Sequence, residues 1–370
     1  MRPLLSFVFS ARNDNYQGNS SWRLEAALNF LANGLKQLGR LQDVEIVIVD
    51  WCSPKPLHSV LRLTEETTKV TRFILVQVSS LQGYKFDDDF PRAVVTNTGI
   101  RRATGLYIVP TVADALWTRK SLSKVFNFID HNIPLKGTIE KTLLIFGRKE
   151  IPYDVASCSP SLPQLERFIE ENDATLTVPY IPYLRVPGDG LLMHRDLWFH
   201  SRSFDERMHY WGWHDCDIIL RVQLKYFLLS CQDDKDLVIY HLAHIAPGDP
   251  SRVLERKTNP WIFNPFTVND TNWGLGSLLF NEYPPRPRQL ANPEHPDNGS
   301  ADTVHAFRLL HFLNILKFAV THRDRQSLVL SFDLIVRFLA DAPERSITKH
   351  VYNVAHRIIS MIKSARSGHA

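Results

Sequence analysis

The chain has 370 residues, 44% of them hydrophobic and 22% charged, with a formal net charge of +4. That length suits one large domain of about 250–300 residues plus an appendage. The basic residues are dispersed rather than massed, so charge alone does not argue for a nucleic-acid partner, none is expected, and only a mild preference for anionic ligands is supported.

Residues 4–10 (LLSFVFS) read as a buried strand; the run is too short for a signal-peptide core and lacks a small-residue cleavage site. No stretch reaches the roughly 18 consecutive apolar residues of a membrane span. Cys52, Cys158, Cys216 and Cys231 stand singly, as reduced thiols do. A cytoplasmic protein is expected. Leu24, Leu28, Leu31, Leu35 and Leu38 share one helical face, ended by Gly39. A β-branched strand over 44–49 closes at Asp50, and 57–63 reads as helix after the Pro54-Lys55-Pro56 break. Strand 72–78, a helix over 91–103 and strand 106–109 follow. Thr118 caps a helix carrying Leu122, Val125, Phe126 and Ile129, and 143–146 is a fifth strand.

Strands alternating with helices imply an α/β fold: a Rossmann-like, mainly parallel twisted sheet flanked by helices. Ligands of such sheets bind beyond the carboxyl ends of the strands. That singles out Ala11-Arg12-Asn13-Asp14, Asp50-Trp51-Cys52-Ser53 and the loop from Thr111 to Asp114. The organisation expected is a catalytic domain over 1–280, a Pro-rich connector over 281–303 and a helical C-terminal extension over 304–370. The extension has apolar faces of its own, suited to packing on the domain, a protein partner or a peripheral membrane surface.

Five clusters carry residues suited to chemistry. Asp50 could accept a uracil N–H or ribose hydroxyls, although taken alone a turn aspartate is the simpler account. The segment from Asn97 to Gly105 carries Arg101 and Arg102, which could set cations near a diphosphate; for each singly, a solvated arginine face is the simpler account. Asp114 lies in the loop after the fourth strand, where a carboxylate can hold Mg²⁺ or Mn²⁺ against phosphate oxygens. The densest cluster runs from Gly188-Asp189-Gly190 through Phe204-Asp205-Glu206 to Trp211-Gly212-Trp213-His214-Asp215-Cys216-Asp217, with Arg221 four residues on. Indole faces there suit sugar rings, and the carboxylates suit proton abstraction from a hydroxyl. The competing account is a core tryptophan pair before an acid-rich helix N-terminus. Last come His241 and His244. On a strand they point to opposite faces, so at most one should face a site.

In this order the clusters resemble the GT-A glycosyltransferases, family-2-like in the N-terminal half. The second half is similar to the galactosyltransferase-type C-terminal region of the β-1,4-galactosyltransferases and of the polypeptide N-acetylgalactosaminyltransferase modules. The resemblance spans roughly residues 4–276 and is most specific from Gly188 to Arg221. It implies an inverting hexosyltransferase that moves sugar from a nucleotide-sugar, a UDP-sugar, to a glycan or other hydroxyl acceptor. Asp215 would be the general base. Ala11, Arg12, Asp50, Asn97 in a donor-side loop, Arg101 and Asp114 would serve the donor. Asp189, Trp211, Trp213 and His214 would serve the acceptor or sugar. Asp114 and His244, preferred over His241, would hold Mn²⁺ or Mg²⁺. One departure stands out: the family's Asp-x-Asp metal motif reads Val112-Ala113-Asp114 here. That keeps a catalytically impaired sugar- or nucleotide-binding module, or a scaffold, as the alternative.

Overall fold

The computed structural model describes residues 2–131, 143–176, 190–210, 212–225, 236–244, 259 and 269–285. In chain order they form β1 (Leu5–Ala11), α1 (Ser20–Gln37), β2 (Val44–Trp51), α2 (Glu65–Val70), β3 (Thr71–Val76), α3 (Arg92–Arg102), β4 (Tyr107–Thr111), β5 (Ala115–Leu116) and α4 (Arg119–His131). After these come β6 (Leu143–Ile145), β7 (Gly147–Ile151), α5 (Tyr153–Ala156), α6 (Leu162–Asn172), β8 (Leu191–His194), α7 (Arg195–His200), α8 (His214–Lys225), β9 (Val238–Leu242) and β10 (Asn281–Tyr283).

Seven strands make one sheet in the order β10-β3-β2-β1-β4-β8-β6. Its centre, β3-β2-β1-β4, is parallel, while β10, β8 and β6 run antiparallel to their neighbours. The expected mainly parallel α/β sheet flanked by helices is what the chain forms. β1 and β2 are buried on both faces, so their side chains divide between two cores. Leu5, Phe7, Phe9, Val44, Ile46 and Ile48 join one cluster with α1 and α4. Val8, Val47, Val49 and Trp51 join the other with α3, α7 and α8. Each such aromatic or aliphatic side chain contributes about 1.5–3 kcal/mol when fully buried.

α3 lies close against this second face. A Cβ on Gly99 would sit 2.4 Å from Val8 Cγ1 and 2.9 Å from Val49 Cγ2. Only glycine allows that approach. Ser10 Oγ and Thr96 Oγ1, 2.9 Å apart, tie the same helix to β1. The cap expected at Thr118 is present, its hydroxyl accepting from the Ser121 amide at 3.2 Å.

Three local expectations are corrected. Only a 3₁₀ turn, Leu57–Ser59, stands where a helix over 57–63 was expected, and helix forms at α2 instead, capped by Thr64. The strand at 143–146 is an antiparallel edge strand rather than part of a parallel βαβ unit. Residues 281–283, expected to open the connector, add β10 to the sheet edge beside β3. A separate three-stranded sheet, β5-β9-β7, was not foreseen. Among the described residues, no helix is long and apolar enough to cross a membrane. Asp189, Trp211, the connector from residue 286 and the extension over 304–370 lie outside the described residues.

Candidate functional site

Asp114 occupies the loop between β4 and β5, beyond the carboxyl end of a strand at the sheet's centre. The small second sheet then sets its neighbours. β5 pairs antiparallel with β9, Ala115 opposite His241, and the Asp114 carbonyl accepts from the Leu242 amide at 2.9 Å. This brings two imidazoles to one carboxylate. His241 Nε2 lies 3.4 Å from Asp114 Oδ1, and His244 Nε2 lies 3.2 Å from Asp114 Oδ2. One ligand atom from each of the three residues falls within 4.8 Å of the other two, a set able to hold a metal ion.

The expectation that at most one histidine faces the site is thereby corrected. Strand parity applies only to Leu242, where β9 ends. Beyond it the backbone is no longer regular strand, and His244 lies beside His241 at the same carboxylate.

Two further partners complete the electrostatics. Arg23, buried on α1, places Nε 3.8 Å from Asp114 Oδ2. Its remaining nitrogens bond the carbonyls of Gly18 and Tyr16, fastening the loop after β1 to the same helix. On β7, Glu150 pairs with His241 across the parallel ladder, Oε1 lying 3.1 Å from Nδ1. Burial opposes ionisation of Asp114, but His241 and His244 outweigh it and hold the carboxyl well below the usual range. Burial likewise opposes the His241 imidazolium, yet Asp114 and Glu150 push it up to about 9. Neither Arg23 nor Glu150 was singled out in the sequence, because each comes from an element far away along the chain.

The remaining candidates fall into different settings. Ala11 and Asp50 are register partners at the ends of β1 and β2, so the structure brings Arg12 and Asp50 to one strand-end cluster. Asp50 is 3% exposed and accepts from the Leu57 amide at 2.7 Å, the role of a turn aspartate. Arg12 lies 3.7 Å from Asp14.

Asn97 is not in a loop. It is fully buried within α3, its amide donating to the Phe204 carbonyl at 2.8 Å and to Glu206 at 3.0 Å while accepting from the Phe204 amide. Arg101 and Arg102 form neither a solvated face nor a free cationic pair. Arg101 donates to the carbonyls of Thr271 and Trp273, and Arg102 to those of Thr98, Gly274, Leu275 and Leu278. Gly274 fits this clamp through its positive φ of 62°, since a Cβ there would lie 2.6 Å from the Asn97 carbonyl oxygen. These residues weld α3 to the segment over 271–278.

At the acidic cluster, Gly212 and Trp213 take left-handed φ values of 91° and 68°, a turn that leads into α8. The Trp213 conformation is uncommon for a bulky residue. His214 is buried, its Nε2 bonded to the Met208 carbonyl at 2.9 Å, and burial pushes its pKa down to about 4. It is a neutral packing residue rather than an exposed sugar contact. Asp217 is buried against Arg221 Nε at 2.7 Å, whose other nitrogens bond the Ser201 and Ser203 carbonyls. Asp215, in the first turn of α8, is only half-buried.

No protein-family model matches the chain, and no curated protein matches it in sequence. Among solved structures it is similar to S. aureus TarS 1-349 at 17% identity and a TM-score of 0.41, covering 65% of this chain and 60% of that one. It is also similar to that TarS fragment in complex with UDP (17%, 0.39, 66% and 61%) and in complex with UDP-GlcNAc (15%, 0.37, 67% and 60%). The chain thus spans about three fifths of the length of these TarS structures.

Proposed function

We propose that this chain is a GT-A glycosyltransferase that moves a sugar from a UDP-sugar to an acceptor hydroxyl with inversion. The observation that carries the reading is the convergence of Asp114, His241 and His244 beyond the carboxyl end of β4. One hard carboxylate and two imidazoles fit Mn²⁺ better than Mg²⁺, which demands oxygen ligands and retains its waters. Such an ion, when bound, neutralises charge on a leaving diphosphate.

The chain's own residues supply the rest. The Arg12 and Asp50 cluster flanks the same strand ends on the donor side. Asp215 takes the acceptor proton as general base; in support, it is half-buried in the first turn of α8, directly after Trp213 and His214. Trp213 offers an indole beside it.

One observation favours a second reading, a binding module without turnover. The metal motif's first position is Val112, and it packs against the apolar core. Thermal-shift measurements of nucleotide-sugars with and without Mn²⁺, followed by a UDP-release assay, decide between them. A Mn²⁺-dependent rise in melting temperature with one UDP-sugar, plus UDP release on adding acceptor, is expected. Stabilisation without release supports the binding module, and no stabilisation by any nucleotide overturns both.

A further inference from the structure

The polar surroundings of His241 contain a conflict that bears on the metal. Its Nδ1 faces two groups of opposite demand: Glu150 Oε1 at 3.1 Å and Arg148 Nη2 at 2.8 Å. Arg148 also binds Glu150 Oε2 through Nε at 3.0 Å and Nη2 at 2.7 Å. β7 brings both residues to β9, in a ladder where Arg148 is opposite Ile239 and Glu150 opposite His241. Neutral imidazole has one N–H and one lone pair. If Nδ1 donates to Glu150, the lone pair sits on Nε2 and points at Asp114. Should Arg148 donate to Nδ1 instead, the proton sits on Nε2, donates to Asp114 and leaves no lone pair for an ion.

We infer that Glu150 is a positioning residue for the metal: it takes the His241 Nδ1 proton, fixes the Nε2-ligating tautomer and keeps Arg148 from imposing the other. The inference rests on the metal reading above. Arg148 has a double part. As the brace of Glu150 it holds the carboxylate in place, and without Glu150 it becomes the antagonist of ligation. Carboxylate partners of ligating histidines commonly act in this way, and their removal typically weakens metal binding about 10–100-fold.

The test is titration of Mn²⁺, followed calorimetrically in the presence of UDP, into the full-length wild type, Glu150→Gln, Glu150→Leu and the double variant Glu150→Leu/Arg148→Met. Thermal melts check that each is folded. Glu150→Gln keeps an acceptor for Nδ1 and should stay close to wild type. Glu150→Leu should lose about 10–100-fold in affinity. The double variant should recover part of that loss, because the competing donor is gone; a merely structural role for Glu150 predicts no recovery. Equal affinity in wild type and Glu150→Leu, or a double variant that binds no more tightly than Glu150→Leu, overturns the inference while leaving the metal reading intact. Failure of the wild type to bind Mn²⁺ overturns both. If the leucine variants do not fold, ¹⁵N-histidine NMR of the Zn²⁺-loaded wild type gives the answer directly: Nδ1–H on His241 supports the inference, and Nε2–H overturns it.

Discussion

His241 and Asp114 stand 127 positions apart in the chain, yet across the β5–β9 ladder Nε2 of the histidine lies 3.4 Å from Oδ1 of the aspartate. With His244 at 3.2 Å from the other oxygen, both histidines become metal ligands in the proposed site. Both His241→Ala and His244→Ala should therefore weaken UDP-dependent Mn²⁺ binding. Asp114→Asn should weaken it most, beyond the roughly 10–100-fold typical of outer partners. Calorimetric titration checks this, and an unchanged His241→Ala would remove that residue from the ligand set.

Asp215→Asn should reduce sugar transfer about 10²–10⁴-fold, the usual contribution of a general base, while UDP affinity stays near wild type. Asp217→Asn behaves differently. It breaks the buried pair with Arg221, so it should lower the melting temperature before it touches turnover per folded molecule. Steady-state kinetics beside thermal melts separate the two.

Arg23→Gln should destabilise the metal-free protein by about 1–3 kcal/mol, since buried groups lose a charged partner. The carbonyls of Gly18 and Tyr16 and the Asp114 carboxylate are the groups affected. In the proposed site, Mn²⁺ would supply positive charge at the same carboxylate. It should accordingly raise the melting temperature more in Arg23→Gln than in wild type, and equal shifts would argue that Arg23 acts only on the loop.

The arginine clamp on α3 makes a stability prediction. Arg102→Met removes a donor from four carbonyl oxygens, leaves those of Gly274 and Leu278 without one, and should cost about 2–4 kcal/mol, in the upper range for single substitutions. Gly274→Ala should also destabilise, through its left-handed backbone and the close Asn97 carbonyl. Neither should alter nucleotide affinity of the folded protein. A selective loss of nucleotide binding in Arg102→Met would return that residue to the donor site.

Glu206 and His214 oppose one another in pH dependence. Burial pushes the Glu206 carboxyl from 4.5 up to about 7, so unfolding releases a proton in that window and stability falls as pH rises. Burial pushes His214 from 6.5 down to about 4, so unfolding takes up a proton there and stability rises with pH. Between these limits the effects oppose. Glu206→Gln should make stability climb more steeply with pH than in wild type, and His214→Asn should make it fall more steeply. Denaturant melts from pH 4.5 to 6.5 check both signs.

The sequence by itself determined the sheet and, through it, the strand end where the proposed site lies. The apolar runs over 4–10 and 44–49 read as buried strands, and the helix between them implies a parallel order with ligand positions at the carboxyl ends. Asp114 was legible for that reason. What surrounds it was not. His241 joins His244 only because β9 stops at Leu242, Glu150 arrives because β7 pairs in register with β9, and Arg23 reaches in from α1. Register between distant strands leaves no local periodicity to read. The same holds for Arg101 and Arg102, which in sequence resemble a cationic face. Tertiary packing made them a clamp, since the carbonyls of Thr271, Trp273, Gly274 and Leu278, about 170 residues further on, accept from these guanidinium groups.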